Sequence, residues 1–245
     1  MSDVMAHQLS IDTRLKLGLQ STEYFDVNRA VVSLGITCIK RPLESSLSGA
    51  TLKGNKAKII FVNSAKSLGH QNFTIAHELY HCLYDDNLSS KACKTEMLKS
   101  GSDSEHVADS FATHLLMPED GIYYQLRLLG KSGANLKLVD IVGMEQYFGV
   151  SRRAICWRLQ DLGLINRNES DLYNTNIIQG VRLLGKDVKL YQSTNELTLI
   201  SDYVARAREA LDKGRITDSR FEEILADAGL NEELLYELED VAVAD

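Results

Sequence analysis

The chain has 245 residues, 44% of them apolar and 25% charged, which are the proportions of a folded globular protein and not of a disordered or fibrous one. A formal net charge of −7 and a pI near 5.4 provide no general attraction for a phosphate backbone or an anionic lipid surface, so nucleic acid is not a favoured partner. No segment approaches the roughly 18 uninterrupted apolar residues of a membrane span, and the opening stretch MSDVMAHQLSIDTRLKLG lacks the apolar run of a secretory signal; the expected location is the cytoplasm, away from membranes.

Cys38, Cys82, Cys93 and Cys156 are scattered, with no C-x-x-C pair, and are read as reduced thiols. A helix is expected over 22–34, ended by Gly35, followed by β-rich runs at 36–40 and 58–63 with a short strand between them in SLSGATLKG. These predict a small antiparallel sheet of about three strands. From Asn72, a candidate N-cap, the pattern turns helical through Tyr84. The polar stretch 85–103 reads as a connection, and a second helix covers 104–117, stopped by Pro118.

Residues 139–165 read as two helices around Gly149-Val150-Ser151, a helix-turn-helix outline with Ser151 as cap. The polar residues 166–180 suggest a boundary, so the expected organisation is a domain at 1–168 and a mostly helical module at 169–245. Within that module VRLLGKDVKLY is ambiguous between strand and helix, 198–212 and 217–227 have helical spacing, and Asn231 opens a further helix. The fold class is α+β.

The segment FTIAHELYHCL, 73–83, contains H-E-x-x-H. At about 100° per residue, His77 and His81 differ by only about 40° around the helix and by one turn along it, so both imidazoles can reach one metal ion. Glu78 sits one position off that stripe, where it can take a proton from water at the metal. Ile75, Leu79 and Cys82 cluster on the opposite side, which makes Cys82 a core residue and not a thiolate ligand.

A catalytic zinc site needs three protein ligands and an open position, so a further acid or imidazole has to come from downstream. In EHVADSFATHLLMP, 105–118, the residues Ala108, Phe111, Ala112 and Leu115 form an apolar stripe with Glu105 and Asp109 along its edge. Packing that stripe on the first helix brings Glu105 to the histidines as third ligand, with Asp109 as candidate to orient a ring. His106 and His114 project away and are read as surface residues; His70 is read as a polar loop histidine, and His7 carries no signal.

FTIAHELYH, then E-x-x-A-D-x-F-A-x-x-L-L-M-P, then GVSRRAICWRLQDLGLI together resemble the ImmA/IrrE family of metallopeptidases over about 20–166, with a faint return in ITDSRFEEILADAGL. The resemblance implies a zincin-like fold, with His77, His81 and Glu105 as Zn2+ ligands and Glu78 as catalytic glutamate. Two positions depart from the family's common pattern, which often has Gly where Tyr80 stands and Asn where Asp109 stands. Tyr80 could narrow the cleft, polarise a substrate carbonyl or pack as an aromatic residue.

The implied function is a regulatory protease that cuts a helix-turn-helix repressor encoded nearby, in phage, mobile-element or stress responses; some relatives look like parts of toxin–antitoxin pairs. An extended substrate could add as a strand near Ser48 to Leu52. Two alternatives stand beside this: a DNA-binding regulator using Arg152, Arg153 and Arg158, and a protein that sequesters its repressor with little turnover. The C-terminal module is either a solvated helical cap or a partner-docking or sensing module.

Overall fold

The computed structural model describes residues 2–54, 57–85, 90–93, 103–131 and 135–227. Helix α1, Ser2–Lys16, precedes α2, Val27–Ser33, whose N-cap Asp26 accepts from the amides of Asn28 and Arg29. Strands β1, Thr37–Arg41, β2, Gly49–Lys53, and β3, Lys58–Asn63, lead into α3, Leu68–Tyr84. Strand β4, Ser90–Cys93, and α4, Asp103–Leu116, come next, then α5, Glu119–Leu128, α6, Leu138–Phe148, and α7, Arg152–Asp161. The chain continues through α8, Arg167–Tyr173, α9, Ile177–Leu183, a 3₁₀ turn at Lys189–Tyr191, β5, Thr198–Ile200, α10, Tyr203–Asp212, and α11, Asp218–Asp227.

The α+β class holds, but the sheet is mixed and not antiparallel. Its order is β4-β2-β3-β1-β5, with β1 parallel to β3 and the remaining pairs antiparallel. The physical cause lies in Asn63, at the end of β3. Its amide nitrogen donates to the carbonyls of Leu43 at 3.1 Å and Leu47 at 2.8 Å, and its oxygen accepts from the Leu43 amide at 2.9 Å. One buried side chain thus folds the 42–48 loop over the end of β3, so that the chain leaves β1 on one flank of β3 and enters β2 on the other. Nothing in local β propensity signals that crossover.

Ile60 and Val62 of β3 and Cys38 of β1 face the core under α3, where Ile75, Leu79 and Cys82 are fully buried. On the far side of α3 lies α4, with Ala108, Phe111, Ala112 and Leu115 all buried. The two alanines permit close approach of the helix axes. Helix α1, not expected from its polar sequence, packs along α4. Its Arg14 guanidinium donates to the carbonyls of Leu115 and Gln20 at 2.5 and 2.8 Å, so a charged residue serves as an internal tie.

Helix α3 begins five residues earlier than expected, with Ser67 and not Asn72 at the cap, so His70 is helical and not a loop residue. Asn72, the expected cap, is instead buried and donates to the carbonyl of Gly149 at 2.8 Å. That bond docks the α6–α7 turn on α3. Gly69 allows the approach: a Cβ there would lie 2.7 Å from the Ser151 amide nitrogen. The helix-turn-helix outline is present as expected, with Gly149 at φ +66° and the Ser151 hydroxyl accepting from the Ala154 amide at 3.3 Å.

The other departures are local. The helix expected over 22–34 is confined to α2, β4 lies within the expected connection, and 198–212 begins with β5 before becoming α10. Strand β2 is paired on both sides, by β3 and β4, so residues 48–52 offer no open edge to a substrate strand. Helices α10 and α11 form a hairpin around their own small cluster of Ala207, Phe221, Ile224 and Leu225. The helix start expected at Asn231 and the acidic end of the chain lie outside the described residues, as does the side chain of Cys93. Cys38, Cys82 and Cys156 are buried free thiols. Burial pushes Cys82 up to about 11 and the other two up to about 12, which keeps them protonated and unreactive.

Candidate metal centre

The regular turn of α3 places His77 and His81 side by side, their rings 5.1 Å apart between centroids and 1% and 0% exposed. Their Nε2 atoms face each other at 3.3 Å. Glu105, in the first turn of α4, reaches between them with one oxygen 3.4 Å from Nε2 of His77 and the other 3.3 Å from Nε2 of His81. These three are the one set of potential metal donors found among the described residues, with all donor atoms within 4.8 Å of one another.

The opposite sides of both rings are held by carboxylates. Asp109, one turn after Glu105 on α4, lies 2.8 Å from Nδ1 of His77, and Asp85 lies 3.1 Å from Nδ1 of His81. Carboxylates accept, so both rings carry their proton on Nδ1 and present a lone pair at Nε2. Two imidazole lone pairs and a carboxylate then converge at 3.3–3.4 Å, an arrangement of mutually repelling acceptors that a cation stabilises. The separations also fit in size. For donors about 2.0–2.1 Å from a tetrahedral zinc, the donor–donor edge is about 3.3–3.4 Å.

Glu78 is buried beside this cluster, and its Oε2 accepts from the Thr51 hydroxyl of β2 at 2.7 Å. Close to its other oxygen β2 has a glycine: a Cβ on Gly49 would stand 3.0 Å from Oε1 of Glu78 and 2.5 Å from Cγ2 of Thr74. Tyr80 is buried within the α3–α4 interface, its ring 5.8 Å from that of Phe111 and 5.4 Å from that of His81 between centroids. Lining the same helix two turns before His77, His70 bonds the Ser48 hydroxyl at 2.9 Å. Burial first, then Lys66 and Arg153, push its pKa down to about 4.

His106 is exposed, and His114 turns from the potential metal donors towards α1. His114 is not a simple surface residue, however: its side chain is 11% exposed, stacked on His7 at 4.6 Å and bonded to Asp3 at 3.3 Å. Of the arginines on α7, Arg152 is buried and grips both oxygens of buried Glu145 at 2.7 and 2.6 Å, and Arg158 is buried against the Met117 carbonyl and Asp161. Only Arg153 of the three is exposed.

Sequence reasoning missed Asp85 and Thr51. Asp85 stands four residues after His81, a spacing that signals contact on a helix face, but it opens the polar run that reads as a connection. Thr51 carries no such signal, because its contact with α3 depends on how the sheet is ordered.

A helix bearing H-E-x-x-H, a second helix supplying an acid and a small sheet beneath them are the elements of a zincin-like metallopeptidase. The family model described as the IrrE N-terminal-like domain (Peptidase_M78) matches residues 32–160, and the chain belongs to this metallopeptidase family, ImmA/IrrE. Among curated proteins the comparison found no match.

Proposed function

We propose that the protein is a zinc-dependent endopeptidase that cleaves a helix-turn-helix transcriptional repressor encoded nearby, as part of a phage, mobile-element or stress response. The observation that carries the hydrolase reading is the convergence of Nε2 of His77, Nε2 of His81 and the Glu105 carboxylate at 3.3–3.4 Å, beside a buried glutamate. His77, His81 and Glu105 would hold the ion, a donor set of the type used by catalytic zinc sites, which leaves a position for solvent. When bound, zinc supplies Lewis acidity, lowering the pKa of its water to about 7 and polarising the scissile carbonyl.

The chain's own residues supply the proton transfers. Glu78 accepts the proton of the attacking water and returns it to the leaving amine, while Thr51 keeps the carboxylate oriented. The substrate class rests on the family resemblance. The commitment of Arg152 and Arg158 to buried partners disfavours the DNA-binding alternative, since phosphate contacts need exposed cations. No described helix is long and apolar enough to cross a membrane.

The test is co-expression of the chain with the repressor encoded beside its gene, with bound zinc measured in the same sample. A cut repressor is expected with the wild type and an intact one with Glu78→Gln, both proteins retaining zinc. Intact repressor alongside zinc-loaded wild type would refute the proposal, and equal regulation by both forms would favour sequestration.

A further inference from the structure

Resting on the reading of His77, His81 and Glu105 as metal donors, we infer that Asp85 is a positioning residue for the metal, clasping the His81 ring to the start of α4 through Ser104. Asp85 is the first residue past α3, with φ −93° and ψ 97°, so the backbone has already left the helix. The side chain nevertheless folds back. A single oxygen, Oδ2, lies 3.1 Å from Nδ1 of His81 and accepts from the Ser104 hydroxyl at 2.9 Å. Ser104 immediately precedes Glu105 in the sequence. One carboxylate oxygen therefore joins the ring of one donor to the neighbour of another.

A carboxylate at this place is unfavourable by itself, because the C-terminus of a helix carries the negative end of its dipole. The Nδ1–H of His81, the Ser104 hydroxyl and the Lys53 ammonium, which donates to the Asp85 carbonyl at 3.0 Å, offset that cost. Asp109 makes the reverse tie, reaching from α4 to His77 on α3. The two ties cross the same helix pair in opposite directions. The helices otherwise meet through apolar packing that includes Phe111 and Ala108, which sets contact but not orientation. Hydrogen bonding from His81 to Asp85 both fixes the ring and strengthens Nε2 as a donor.

The experiment uses the full chain stripped of metal and titrated with Zn2+ against a chromophoric chelator, with the melting temperature of the stripped protein recorded alongside. Asp85→Asn should weaken zinc binding about 10- to 100-fold. Ser104→Ala should weaken it about three- to tenfold, and the double variant should be no weaker than Asp85→Asn alone, because both act through one carboxylate. Ser104→Ala should melt like the wild type without metal. Wild-type affinity in either single variant overturns the inference, as does a lowered metal-free melting temperature with unchanged affinity. If Asp85→Asn does not fold, Ser104→Ala decides alone. A wild-type chain that binds no zinc instead removes the metal reading itself.

Discussion

The Thr51 hydroxyl donates to Oε2 of Glu78 at 2.7 Å, both residues being buried, so a strand of the sheet holds one oxygen of the carboxylate carried by the helix of the candidate metal centre. Thr51→Val keeps the shape and removes the donor. It should lower the cleavage rate about tenfold, the equivalent of about 1.4 kcal/mol and typical of a hydrogen bond to a charged group. Zinc content should not change, and Thr51→Ser should restore the rate. A time course of cleavage of the proposed repressor substrate by the three forms checks this, and equal rates for Val and Thr would remove the role.

Gly49 leaves room for the same carboxylate. In Gly49→Ala the new methyl would meet Cγ2 of Thr74 at 2.5 Å and Oε1 of Glu78 at 3.0 Å, so β2 and α3 must separate. A loss of about 1–3 kcal/mol in stability is expected from such overpacking. Urea unfolding of the variant reads it directly.

Arg152 and Glu145 form a buried, two-point ion pair, joined by the Tyr191 hydroxyl, which lies 2.5 Å from Oε1 of Glu145. Arg152→Met leaves the acid without its cation and should cost about 3–5 kcal/mol. Arg153→Ala, on the exposed side of α7, should stay within about 0.5 kcal/mol. Denaturant midpoints separate the two. A DNA-contacting Arg152 would give the opposite pattern, with stability retained and DNA retardation lost.

His70 should make stability fall in mild acid. Its pKa is pushed from 6.5 down to about 4, chiefly by burial, so the unfolded chain binds this proton more readily than the folded one. The stabilising contribution is therefore full above pH 6.5 and is lost as pH falls through about 4, amounting to about 3 kcal/mol across the window. His114 is shifted in the same direction, by burial and then Arg158, and adds to the trend. His70→Gln, which can still bond Ser48, should flatten the curve between pH 4 and 6.5. Parallel curves for the two proteins would contradict the assignment.

The parts of the centre readable from sequence are those governed by one helix at a time. The i, i+4 spacing determines that His77 and His81 share a face, and the stripe from Ala108 to Leu115 determines which edge of α4 carries Glu105 and Asp109. Thr51 and Gly49 were not readable because their approach to Glu78 depends on β2 lying beside β3, an order organised by Asn63 through loop carbonyls. Helix α1 escaped for a different reason. Its amphipathic pattern is weak, and its docking relies on Arg14 and Thr13, polar residues that usually indicate a solvated surface.

Strand β5 has a practical implication for anyone shortening this protein. It comes from residues 198–200, beyond the end of the family match at 160, yet covers the outer side of β1. The residues leading to it are fastened to the start of α3, with the Leu68 amide donating to the Gln192 carbonyl at 2.8 Å and the Asn195 amide to the Ser64 carbonyl at 3.0 Å. A fragment truncated at 168 would bare the amide row of β1, and such naked borders recruit strands from neighbouring molecules. Recombinant versions should therefore run past residue 200 to stay monodisperse.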